Sequence, residues 1–148
     1  MKLFANIDGA SRGNPGPGAS AAVLRDQSGT HVRECGIFLG NCTNNIAEYS
    51  ALSLALELAL SAGADELEVC SDSELLVKQY NGQYKIKNPD LAALMPGIRA
   101  LAAKFKGVTL RHVPREQNAA PDAMANITLD IATHCAPRRT GAEQLKLF

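Results

Sequence analysis

At Thr43 the hydrophobic pattern of this chain changes period, and that change limits the folds open to it. Before it, KLFANID (2–8), GASAAVLRD (18–26) and HVRECGIFLG (31–40) read as strands, separated by turn signals at 9–18 and 26–29. Short strands joined by such turns form an antiparallel meander. After it, TNNIAEYSALSLALELALSAGA (43–64) has the length and Ala/Leu content of a buried helix, with Thr43 or Asn44 placed to cap it and Gly63 to stop it.

Strands and helices then alternate. DELEVCSD (65–72) is a strand, and Ser73 is placed to cap a short helix running through Tyr80. Leu91, Leu94, Ile98, Leu101 and Phe105 fall at steps of three and four, which gives a helix one apolar stripe, with Pro96 expected to kink it. VTLRHVP (108–114) is a fifth strand, and PDAMANITLDIATH (121–134) a last helix with Pro121 in its first turn. This order calls for a mixed sheet with helices packed on it.

At 148 residues the chain fits one domain. Its 15 Lys and Arg balance 15 Asp and Glu, so no global basic field marks a polyanion partner, and nucleic-acid binding would have to be local. A strand pattern follows Met1 directly, with no leader pattern, and the richest apolar run is broken by Glu57 and two serines; a soluble, cytoplasmic protein without membrane contact is expected. Cys35, Cys42, Cys70 and Cys135 are far apart, without CxxC or paired-histidine spacing, and read as reduced, mostly buried thiols.

The chemistry lies at element ends. Asp8 closes the first strand, Asp72 closes DELEVCSD, Glu48 stands one turn into the long helix and Asp122 opens the last one. Any one acid alone reads as a solvated group or a cap. Four that a single sheet can gather would repel one another unless a cation neutralised them, and hard oxygen ligands select Mg²⁺ or Mn²⁺. Beside Asp8, the turn DGASRGNPGPG (8–18) carries glycines that let backbone approach something large and anionic.

DGASRGNPGPGA, TNNIAEYSAL, SDSELLVKQYNGQYKIKNPDL and VPREQNAAPDAMAN, in that order from about Leu3 to Asp130, resemble the signature blocks of type 1 ribonuclease H, which cleaves the RNA strand of RNA/DNA hybrids. The resemblance implies a ribonuclease H-like α/β fold, a five-stranded mixed sheet of three antiparallel strands and then two parallel, flanked by helices. Residues 1–134 would form the catalytic domain and 135–148 a tail. Asp8, Glu48, Asp72 and Asp122 would hold two Mg²⁺ or Mn²⁺ ions across the scissile phosphate, one activating water and the other stabilising the leaving 3′ oxygen. The products would carry 5′-phosphate and 3′-hydroxyl ends.

The same resemblance places substrate contacts at Asn14, Asn44 and Asn45, whose amides suit 2′-hydroxyls, and a DNA-strand phosphate contact at Thr43. Gln79, Asn81, Tyr84, Lys85 and Lys87 form a polar and basic edge. Only NGQYKIKNP (81–89) fills the place of the family's long basic protrusion, which implies weaker hybrid binding. Glu74 stands where some members have glutamine. The family's mobile histidine has no counterpart before Asp122, since His112 lies in the strand, so product release is assigned to Arg115. A monomer is expected. An inactive hybrid-binding module is disfavoured by the intact carboxylates, and a DNA-processing relative by the ribose-suited amides. At the chain's end QLKLF resembles the peptide with which bacterial proteins bind the sliding clamp, through Gln144, Leu145, Leu147 and Phe148.

Overall fold

A computed structural model describes residues 1–134. The peptide Gln144 to Phe148 and Cys135 lie outside the described residues. Among the described residues there are five strands: β1 (Lys2–Ser11), β2 (Gly16–Arg25), β3 (His31–Cys42), β4 (Glu66–Ser71) and β5 (Gly107–His112). They lie in the order β3-β2-β1-β4-β5. β1, β2 and β3 pair antiparallel, while β4 pairs parallel with both β1 and β5. This is the mixed sheet expected from the strand-then-alternation pattern.

The helices are α1 (Asn44–Ser61), α2 (Glu74–Tyr80), α3 (Pro89–Ala102) and α4 (Ala119–His134), with a 3-10 turn at Arg115–Gln117. Thr43 caps α1 by accepting from the Ile46 N–H, and Ser73 caps α2 by accepting from the Leu76 N–H. Ala47, Ala51, Ala55 and Ala59 are fully buried at four-residue spacing on α1, so a stripe of methyl groups lets that helix lie close on β1 and β2. Leu3, Ala5 and Ile7 of β1 and Ala22 and Leu24 of β2 meet α1 and α3 in the main core. The pleat turns Ala21 and Val23 to the other face, where they are buried and α4 packs across β1, β2 and β3.

Two sequence expectations are corrected. β1 does not end at Asp8: Gly9, Ala10 and Ser11 remain paired with β2, and only the pairing with β4 stops, at Ile7↔Ser71. The buried face of α3 is Leu91, Met95 and Ile98, and Leu94 is one of the exposed large apolar residues. α3 continues through Pro96, the place where a kink is expected; the one missing N–H does not end a helix capped by Asn88 and held against α1 by that face.

Candidate active site

The parallel pairing of β1 with β4 explains why two acids far apart in sequence meet. Ile7 and Ser71 are in register, so the residues after them, Asp8 and Asp72, leave neighbouring strands side by side. Such positions, outside the carboxyl ends of parallel strands, are where open α/β sheets bind ligands.

Glu48 is brought over them by α1. A Cβ on Gly9 would stand inside contact distance of the Ala47 carbonyl carbon and the Glu48 nitrogen, so only glycine lets the first turns of α1 lie this close to β1. Ser20, buried in β2, fixes the same turn by donating its hydroxyl to the Ala47 carbonyl at 2.6 Å. One carboxylate oxygen from each of Asp8, Glu48 and Asp72 lies within 4.8 Å of the others. Asp122, in the first turn of α4, lines the same cleft of about 480 Å³, as do Asn44 and Arg115. Arg115 is the one cationic side chain among the described lining residues.

The electrostatics follow from this packing. Asp8 and Glu48 are 5% and 4% exposed. Burial first, then the Asp72 charge and the contact with Asp122, raises the Asp8 carboxyl to about 7. Burial and the charges of Asp8 and Asp72 push Glu48 up to about 9. Near neutrality the crowded cluster therefore retains protons. Glu48 Oε2 is also buried without a hydrogen-bond partner among the described residues. Crowded, partly unsatisfied carboxylate oxygens are the donor set of a hard divalent cation, and a cation there would convert the repulsion into ligation.

The other expected contacts divide into rim and interior. Asn14 accepts the Asn44 N–H at 3.0 Å, which ties the β1–β2 turn to the start of α1. Asn44 and Asn45 are exposed in the first turn of α1, and the Thr43 hydroxyl is engaged in capping. Lys85 is exposed beside a second hollow that it lines with Gln83, Tyr84 and Lys87. Gln79 does not belong to that edge. It is 6% exposed, its Oε1 accepting from the Tyr49 hydroxyl and its Nε2 donating to the Lys85 carbonyl at 3.2 Å. It supports the loop that presents Lys85 instead of facing solvent.

Asn81 likewise donates inward, to the Leu110 carbonyl at 3.1 Å. Glu74 pairs with Lys78 at 2.7 Å, one turn along α2, and that contact lowers its pKa. His112 ends β5 and does not line the carboxylate cleft. Ser20, Asn118 and the cleft-lining Asn126 were not singled out by sequence reasoning. Ser20 shows only as one polar residue in a small-residue stretch, and Asn118 and Asn126 do not stand out from the polar residues near them.

Comparison with known proteins gives a consistent picture. The family described as reverse transcriptase-like matches residues 6–128. A ribonuclease HI of Halobacterium salinarum is 44% identical over 131 residues, covering 88% of this chain and 66% of that protein. The crystal structure of that organism's RNase H1 superimposes with a TM-score of 0.86 over 88% of this chain and 98% of its own. A bifunctional protein of Mycobacterium tuberculosis is 41% identical over 137 residues, 92% of this chain; the chain spans only 38% of its length. LC11-RNase H1, crystallised in complex with RNA/DNA hybrid, is 38% identical with a TM-score of 0.83, covering 88% of this chain and 98% of that one. Among the described residues no helix is long and apolar enough to cross a membrane.

Proposed function

The chain belongs to the type 1 ribonuclease H family, and from that premise we propose that it is an endoribonuclease hydrolysing the RNA strand of RNA/DNA hybrids, acting as a cytoplasmic monomer. The observation that carries the reading is the gathering of Asp8, Glu48, Asp72 and Asp122 from β1, α1, the end of β4 and α4 around one cleft. A relative crystallised with RNA/DNA hybrid supports the substrate class.

Asp8, Glu48, Asp72 and Asp122 would hold two Mg²⁺ or Mn²⁺ ions, which when bound supply water activation and charge neutralisation at the phosphate. In the reaction a water oxygen bonds to phosphorus as the bond to the 3′ oxygen breaks. The proton ends on that oxygen, giving 5′-phosphate and 3′-hydroxyl ends. The chain's own part is to hold the ligand carboxylates in place, with Glu48 and Asp8 losing their protons as the cations enter. Arg115 offsets the growing negative charge of the product phosphate and helps it leave. Asn14, Asn44 and Asn45 orient the hybrid at the rim by hydrogen bonds to ribose hydroxyls, and Thr43 and Lys85 contact backbone phosphates.

Labelled RNA/DNA hybrid, duplex DNA and duplex RNA are offered in parallel with Mg²⁺ or Mn²⁺. Cleavage of the RNA strand of the hybrid alone is expected. Cleavage of duplex DNA at a comparable rate, or none of any substrate, would overturn the reading.

For Gln144, Leu145, Leu147 and Phe148 the proposal is sliding-clamp binding at roughly micromolar affinity, as for a short apolar peptide that loses entropy on docking. Titration of the peptide into a bacterial clamp, with Gln144→Ala and Leu147→Ala controls, decides it. Equal binding of peptide and controls would refute it.

A further inference from the structure

Outside the carboxylates, Asn118 is among the most deeply buried polar side chains, 1% exposed at the joint between the 3-10 turn and α4. An asparagine just before a helix ordinarily turns its side chain to the first N–H groups of that helix. Here the amide goes to the sheet. Nδ2 donates to the Ile7 carbonyl at 2.7 Å, and Oδ1 accepts from Asn6 Nδ2 at 3.1 Å. Its backbone is bound on both sides as well: the N–H donates to the Arg115 carbonyl at 3.0 Å, and the carbonyl accepts from the Asp122 N–H at 3.4 Å.

Ile7 is the last β1 residue in register with β4. Asn118 therefore grips β1 where that ladder stops, one residue before Asp8, while its main chain touches the residues that carry Arg115 and Asp122. From this juxtaposition we infer that Asn118 is a positioning residue: it sets the placement of Asp122 and Arg115 relative to Asp8. The inference rests on the nuclease reading above.

The chemistry asks for an amide at this place. One end must donate and the other accept, so a carboxylate would face the Ile7 carbonyl with oxygen against oxygen, and an apolar side chain would take this partner from the buried Ile7 carbonyl and from the half-buried Asn6 amide. Loss of the grip would let the start of α4 drift from β1. Misplacement of a catalytic group by about 1 Å costs on the order of 10²-fold in rate, and loss of the groups that orient metal ligands costs about 10–100-fold in metal affinity.

The test compares wild type, Asn118→Ala and Asn6→Ala, with folding checked by circular dichroism. Two measurements are made on each: the Mg²⁺ or Mn²⁺ concentration giving half the metal-induced rise in melting temperature, without nucleic acid, and kcat and KM on hybrid. For folded Asn118→Ala the half-point should rise by at least about tenfold and kcat should fall by roughly 10²-fold, with KM little changed. Asn6→Ala, which keeps the donor to Ile7, should shift both the same way by less. A folded Asn118→Ala with the metal response and kcat of wild type overturns the inference, as does a loss confined to KM. If Asn118→Ala does not fold, Asn6→Ala decides, and an unchanged metal response and kcat in it overturns the inference. Wild type that cleaves no hybrid sinks the nuclease reading, while the metal-induced shift still judges Asn118.

Discussion

The carboxylate end of the sheet and the amide rim around it are neighbours in space but are held by opposite means. Asp8 and Glu48 are buried on elements that can move neither together nor apart, because the Gly9 backbone lies against α1 and Ser20 anchors the Ala47 carbonyl. Asn14, Asn44, Asn45 and Lys85 are exposed, and the Asn14 contact to the Asn44 N–H is the tie that joins the two sides of the rim. The difference separates two tasks. A buried, over-fixed cluster suits chemistry, which needs geometry, whereas an exposed set of amides and a lysine suits a long substrate, which needs accommodation. Changes at the first should appear in kcat and metal response, and changes at the second in KM and salt dependence.

The largest effect is expected at the buried end. On the proposed metal-ion mechanism, Asp8→Asn or Asp72→Asn removes the charge of a metal ligand worth several kcal/mol at the reacting phosphate, so cleavage should fall by about 10³-fold or more. The metal-free variants should melt at or above the wild-type temperature, because one negative charge leaves a repulsive cluster. Steady-state cleavage and thermal melts in EDTA measure both. A variant that keeps substantial cleavage removes these residues from the chemistry.

Gly9→Ala tests the same end without touching an acid. Its Cβ meets backbone of α1, which cannot turn aside as a side chain can, so a loss of about 1–3 kcal/mol in stability is expected, with kcat falling by more than KM changes. Gly97→Ala is the control. Nothing lies within 4 Å of a Cβ there and the site is helical, so it should be neutral or stabilising by up to about 1 kcal/mol. Urea unfolding of the pair checks this, and equal costs at the two sites would show that the close approach of α1 does not matter.

The same contrast governs what could be read from sequence. The carboxylates were legible because strand ends, helix starts and turns leave local signatures, and Asp8 beside Gly9 carries one in two letters. Even there, locality misled on one point. Gly9 to Ser11, which carry turn signals, stay in the β2 ladder, and it is the shorter β4 that makes Asp8 an end. Gln79 was illegible because its burial depends on Tyr49, 30 residues away, and a glutamine on a helix shows no preference until that partner is known. Asn118 hid for the same reason, its partners Asn6 and Ile7 being more than 100 residues distant. Leu94 and Met95 show the limit of period counting, since steps of three and four fit both and packing against α1 chooses.

A smaller effect is expected from pH, and it sharpens the comparison because it reads the buried carboxylates. Asp8 rises from 3.8 to about 7 and Glu48 from 4.5 to about 9 on folding. The folded state thus holds these protons more tightly than the unfolded chain. Their contribution is fully present below about pH 4 and is lost as pH rises toward 7 and then 9. In EDTA the melting temperature should therefore fall between pH 6 and 9, by about 3 °C for each kcal/mol lost. Saturating Mg²⁺ should reverse the fall, since it binds the deprotonated cluster. Burial also raises the thiols of Cys42 and Cys70, which adds a fall of the same sign. Glu48→Gln separates the two causes, because it should flatten the carboxylate part alone. A wild-type curve that rises over this range in EDTA would contradict the electrostatics of the cluster.

The smallest effects belong to the rim, and they are where the comparison is easiest to break. Lys85→Ala removes an exposed cation held by the loop that Gln79 braces, and Asn45→Ala removes an exposed amide from the first turn of α1. Neither change alters a carboxylate or its burial, so kcat should stay within about twofold while KM rises a few-fold, each lost contact being worth about 1 kcal/mol. Salt then tells the two apart. A phosphate contact displaces counterions, so on the proposed roles Lys85→Ala should reduce the slope of log affinity against log salt by about one, whereas Asn45→Ala, which would remove a ribose contact, should leave the slope unchanged. Hybrid cleavage measured from about 50 to 200 mM salt gives both quantities. If either variant lowers kcat as strongly as Gly9→Ala does, rim and cluster form one unit, and the division between accommodation and geometry fails.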